Sequence, residues 1–123
     1  MSMAEMVRKQ ASAAIVKYGE KMMLATVVGT TKDTTSGTVT EVYDPQVVCH
    51  GVRNSTQQKA LGFKFGEGNV RTGDIEISLA AEDGVNPIIG SKIFFDGVSH
   101  QIIANQPSVF QGLTVLNSLL VRM

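Results

Sequence analysis

The sequence predicts a mainly β fold in which one N-terminal α-helix precedes a small, closed or partly closed antiparallel β-barrel, all in a single domain over residues 1–123. Three observations carry this reading. Apolar residues recur at three- and four-residue steps as far as Tyr18, after which the period changes. Beyond Gly19, short β-prone runs alternate with Gly, Asp, Asn and Pro. A chain of 123 residues, 43% of them hydrophobic, can bury one core and is too short for a two-domain enzyme. Closing seven or so short strands into a barrel would also remove open sheet edges.

The helix is expected over residues 3–18, where Met3, Met6, Val7, Ala11, Ala14, Ile15 and Tyr18 form the apolar stripe. Ser2 followed by Glu5 is a capping-box pattern, and Gly19 supplies a residue that tolerates a left-handed C-terminal cap. The stripe predicts that Met6, Ala14, Ile15 and Tyr18 rest on the barrel, with Arg8, Lys9 and Lys17 turned outward.

The first strand is expected at 21–28. Residues 29–37, GTTKDTTSG, are polar and turn-rich and read as an exposed loop. Strands at 38–43 and 46–52, interrupted by Asp44-Pro45, could pair as a hairpin. Residues 53–60 form a second polar loop, after which Leu61, Phe63 and Phe65 alternate as a half-buried strand would. Past a turn flanked by Gly66, Gly68 and Gly73, the residues Ile75, Ile77 and Leu79 point one way and Glu76 and Ser78 the other. Asp96-Gly97 between 92–95 and 98–103 suits a two-residue type I′ hairpin, because both positions tolerate positive φ. The last strand, 113–122, is apolar at both parities, which implies cover on both faces or a partner on one.

Eleven basic residues balance eleven acidic ones, so no overall field draws the molecule to DNA or anionic lipid. A single cysteine excludes an intrachain disulfide and fits a reducing compartment. Neither a signal peptide nor a bilayer-length apolar run is found, which predicts a protein kept soluble inside a cell. Nucleotide-binding, P-loop, zinc-protease and serine-hydrolase motifs are missing. Cys49 and His50 would point to opposite faces of a strand, so a buried cysteine with surface histidines, His100 included, is the default. Asp74, Glu76, Glu82 and Asp83 read as solvated carboxylates. No catalytic residue, cofactor or metal ligand is assigned. Residues 45–66 are locally positive, with Arg53, Lys59 and Lys64 and no acid between Asp44 and Glu67. That stretch is either a solvated loop or a surface that meets a phosphate backbone.

Residues 15–24, IVKYGEKMML, resemble the opening of the small neck proteins of long-tailed bacteriophages, where a helix ends in Tyr-Gly and runs directly into a strand. TGDIEISLAA at 72–81, then Pro87 and Gly90, KIFFDGV at 92–98 with Ile102 and Ile103, Pro107 and Gly112 are similar to that family's C-terminal half. Ser91 stands where an acidic residue often follows the glycine, and residues 29–59 do not align. The resemblance implies a non-enzymatic head-completion or stopper protein of the virion neck, assembled in the host cytoplasm without a membrane. It would form a homo-oligomeric ring, commonly of six copies, below the portal and adaptor and above the tail terminator or tail tube. Packaged double-stranded DNA would pass through its lumen.

Residues 53–59 combine positive charge with side chains that can hydrogen-bond phosphate oxygens. By position rather than residue match, the resemblance also implies a lumen loop there, with Arg53, Asn54, Gln57, Gln58 and Lys59 toward DNA. Thr31, Lys32 and Asp33 in the other loop would meet an adjoining ring, and Arg8, Lys9 and Lys17 water or a neighbouring ring. An adaptor or tail-terminator ring is the alternative within the particle. A small cytoplasmic barrel enzyme or ligand-binding module is the alternative outside it.

Overall fold

The structure is a computed structural model that describes residues 2–54, 64–66, 70–71, 73–82 and 85–123. The capping box forms: the Glu5 N–H donates to Ser2 Oγ at 3.1 Å and the Ser2 N–H donates back to Glu5 Oε2 at 3.3 Å. Helix α1 follows over Met3–Tyr18. Gly19 ends it in extended backbone rather than in the left-handed cap expected from sequence. Glycine is needed there because of close approach: a Cβ would lie 2.5 Å from the carbonyl oxygens of both Gly51 and Ile15.

After Gly19 come β1 (Glu20–Ala25), β2 (Val27–Lys32), β3 (Val39–Tyr43), β4 (Val47–Asn54), β5 (Ile75–Ala80), β6 (Lys92–Phe95), β7 (Val98–Phe110) and β8 (Leu113–Arg122). Six of them close an antiparallel barrel in the order β1-β4-β5-β8-β7-β6, with β6 returning to β1. Strands β2 and β3 form a separate two-stranded ribbon. Alternate residues fill the barrel: Met22 and Leu24, Cys49, Ile77 and Leu79, Ile93 and Phe95, Ile102, Leu119 and Val121. The two-sided character of β8 is also explained. Leu119 and Val121 face the core, while Leu120 on the other side is covered by Phe65, Val70, Ile103 and Ala104.

The β6–β7 hairpin turns at Asp96 (φ 52°) and Gly97 (φ 71°), as the dipeptide predicts. Strand β7 continues well past residue 103, and Pro107 lies where, among the described strands, β8 alone pairs with it, β6 pairing having ended at Gln101.

Four expectations are corrected. Residues 29–37 are exposed as expected but only partly a loop: Thr30, Thr31 and Lys32 pair with Glu41, Thr40 and Val39, and residues 33–37 turn. β-Branched threonines suit extended backbone even where nothing is buried. Strand β3 therefore pairs with β2 and not with β4, which lies between β1 and β5. Lys64 and Phe65 are helical rather than extended, while residues 61–63 lie outside the described residues.

The fourth correction is the face of α1. Of the expected packing residues only Ile15 is buried; Met6 and Tyr18 are 49% and 75% exposed and Ala14 is exposed too. The buried stripe is Ala4 and Ile15, with Val7, Arg8, Ala11 and Ser12 half-buried. Arg8 Nε donates to the Ala81 carbonyl at 2.8 Å and Ser12 Oγ donates to it at 3.5 Å. These polar anchors, set among small residues, rotate α1 so that it rests mainly on β8, with β4, β5 and β1 beside it.

Ile15→Asp is expected to lower stability by on the order of 3 kcal/mol, since it buries an unpaired carboxylate. Met6→Asp should change it by less than about 0.5 kcal/mol, as exposed substitutions do. Urea unfolding of the two variants checks this; equal losses would return Met6 to the packed face.

Candidate interaction surfaces

Arg53 was expected to offer its charge to DNA, yet the barrel answers that charge from within. Its Nε donates to Glu20 Oε2 at 3.0 Å and its Nη1 to Asp96 Oδ2 at 2.7 Å, while the guanidinium sits 5.3 Å from the Phe95 ring centroid. The hydrogen bond it donates to Glu20 leads in holding the guanidinium pKa above its ordinary value. The carboxylates come from β1, beside β4, and from the β6–β7 turn, 33 and 43 positions away in the chain. Asn54 is committed as well, its Nδ2 donating to Glu76 Oε1 at 2.8 Å and Ser78 Oγ at 2.9 Å. Gln57, Gln58 and Lys59 lie outside the described residues.

The two carboxylates beside β5 are structural rather than solvated. Asp74, its side chain 1% exposed, accepts from Arg122 Nε at 2.9 Å and Nη2 at 2.8 Å, and from the Arg71 N–H at 2.8 Å. This bidentate fork, then the backbone donor, hold its carboxyl below the usual range against the opposing effect of burial. Glu76 is buried on the outer face of β5, where Lys64 Nζ lies 3.2 Å from its Oε2 and donates to Ser118 Oγ at 3.2 Å.

Cys49 and His50 point to opposite faces, as alternation requires. The buried thiol is pushed up to about 12, chiefly by desolvation, and is a poor nucleophile. His50 Nδ1 lies 3.0 Å from Glu82 Oε1 on the half-buried outer side. His100 is not on the surface: it is 5% exposed and stacks on Phe95 with centroids 4.1 Å apart. Among the described residues no group of three or more His, Cys, Asp or Glu could hold a metal ion.

An open cleft of about 420 Å³ runs between α1, the segment after β5 and the β7–β8 hairpin, with Arg8, Glu82, Asn105 and Asn117 on its walls. Its polar groups largely bond to the protein itself. Arg8 is held by Ala81 and Glu82 by His50, and Asn105 Nδ2 donates to Pro87 O at 3.1 Å and Asn117 Oδ1 at 3.4 Å. Asn105 Oδ1 is buried without a protein donor.

Among the described residues the least self-sufficient parts are the ribbon and the outward side of α1. Every residue from Val28 to Val42 is exposed, Val28 and Val39 by more than half. Thr31, Lys32 and Asp33 sit at the far end of the ribbon, as exposed as the loop reading expected. There Asp33 Oδ1 accepts from the Thr35 N–H at 2.9 Å and the Ser36 N–H at 3.4 Å; these bonds fix the turn and keep its carboxyl below the ordinary value. Near the root, the Tyr43 hydroxyl donates to Glu41 Oε2 and Lys92 Nζ stands 5.0 Å from the Tyr43 ring centroid. On α1, Met3, Met6, Val16 and Tyr18 are exposed.

No protein-family model and no curated protein sequence matches the chain. Among the described residues no helix is long and apolar enough to cross a membrane.

The Asp74–Arg122 fork gives a pH test. A folded-state pKa below the unfolded value stabilises the protein above about pH 4 and is lost as the pH falls through the folded value. Asp74→Asn is expected to cost about 1.5–3 kcal/mol at neutral pH. The variant should then lose less stability than the parent between about pH 4 and pH 2. Urea midpoints measured across that range decide it, and parallel curves for the two proteins would refute the assignment.

Proposed function

We propose that the chain is a structural subunit of the neck of a long-tailed bacteriophage. In this reading it forms a head-completion or stopper ring that closes the DNA-filled head below the portal and adaptor and receives the tail. The observation that carries the proposal is a closed barrel bearing a ribbon whose residues are all exposed between Val28 and Val42. Two-stranded ribbons are marginal alone in water, and this one is suited to being held by other subunits.

The sequence resemblance supports the same reading, because its residues sit at the joints of the barrel. Tyr18-Gly19 is the passage from α1 to β1, GDIEISLAA at 73–81 runs into and through β5, and Asp96-Gly97 turns β6 into β7. Thr31, Lys32 and Asp33, at the tip of the ribbon, meet an adjoining ring in this arrangement. A formal net charge of zero suits a lumen through which DNA slides, since each neutralised phosphate would add affinity that impedes passage.

The test is electron microscopy of the protein assembled on its portal and adaptor. A ring of several copies at the neck is expected. A single copy per particle would overturn the proposal, and a monomer that takes a small ligand in the 420 Å³ cleft would favour the binding-module alternative.

A further inference from the structure

We propose that neighbouring subunits join head to tail, the outward side of α1 on one copy receiving the β2–β3 ribbon of the next; this rests on the ring reading above. The first argument is placement. Helix α1 ends at Tyr18, just before β1 begins, and the ribbon starts at Val27, just after β1 ends. Strand β1 has six residues, so the C-terminal end of α1 and the root of the ribbon lie about 20 Å apart. The packing partners of α1 are β8, β4, β5 and β1, while the ribbon strands pack chiefly on each other.

The second argument is matching character. Met3, Met6, Val16 and Tyr18 expose apolar surface on α1, and Val28, Val39 and Val42 do so on the ribbon. The third is charge. The outward side of α1 carries Lys9 and Lys17 against the single Glu5, a net charge of +1, Arg8 being held at the Ala81 carbonyl. Residues 27–44 carry Asp33, Glu41 and Asp44 against the single Lys32, a net charge of −2. A two-fold contact of α1 on α1, or of ribbon on ribbon, would set like charges together, whereas α1 on ribbon sets opposite charges together. Such a contact uses a different patch on each partner and leaves one of each free, so it propagates from copy to copy until the ring closes.

The test uses two separately purified variants, Met6→Cys and Val39→Cys, joined by a short flexible bismaleimide. Cys49 stays out of the reaction because it is fully buried with its thiol pushed up to about 12, and the parent protein serves as the control. Mixing the two variants is expected to give cross-linked pairs well in excess of those from either alone. A chain carrying both substitutions should give a ladder ending at the ring. Lys9→Glu with Lys17→Glu on the Met6→Cys partner should lower the yield several-fold, and Glu41→Lys with Asp44→Lys on the other partner should restore it.

Predominant pairing of each variant with itself would overturn the proposal in favour of a two-fold contact. Rings seen by microscopy without the mixed cross-link would overturn this contact and leave the ring reading standing. Neither rings nor cross-links, at any concentration or on the adaptor, would overturn both.

Discussion

Strand β1 is held on both edges, and much of the rest follows from that. Residues Glu20 to Leu24 pair with Gly51 to Val47 on β4, and Met23 to Ala25 pair with Phe94 to Lys92 on β6. With both edges taken, the chain must leave the barrel after Ala25, and Thr26 is its exit. Thr26 Oγ1 donates to Asn86 O at 3.0 Å, its carbonyl accepts the Asp44 N–H at 2.8 Å, and the Val27 N–H donates to Ser91 Oγ at 3.0 Å. The ribbon is the excursion the chain makes before returning as β4, and the fully buried Ser91 fixes its root. Arg53 then straps the seam, reaching from β4 to Glu20 on β1 and to Asp96 in the β6–β7 turn.

Elements whose pattern is local were legible in the sequence. The capping box of α1, the alternation of β5, the Asp96-Gly97 turn and the two-sided β8 each state their structure within a few residues. The face of α1 was not legible, because an apolar stripe marks the buried side only when burial is what holds the helix. Here Arg8 and Ser12 bond to the Ala81 carbonyl and turn Met6 and Tyr18 to the outside. In the ribbon β3 was read as a strand, but the β2 half at residues 29–32 and its pairing escaped. With no face to bury, that half has no hydrophobic alternation to read, and only its threonines speak for extended backbone.

The surfaces were harder to read than the fold because charge is resolved across strands. Asp74 and Glu76 look solvated in their own neighbourhood until β8 and the segment at Lys64 bring cations to them. Arg53 looks free for the same reason. In each case the deciding partner lies on a different element, and a window along the chain cannot contain it. The alternation of Cys49 and His50, by contrast, needs only two consecutive residues and was read correctly.

The seam between β1 and β6 also sets the order in which the molecule can fold. Strands β6, β7 and β8 are joined by tight turns and pair with their sequence neighbours, so their contacts close short loops. Met23 and Phe94 meet only after about 70 intervening residues have been brought together. Loop entropy therefore opposes the seam most, and non-local pairings of this kind slow barrels to milliseconds or longer where local hairpins need microseconds. Loop entropy thus makes the C-terminal meander the expected template for the first strand, with the bonds that turn an open sheet into a barrel expected last.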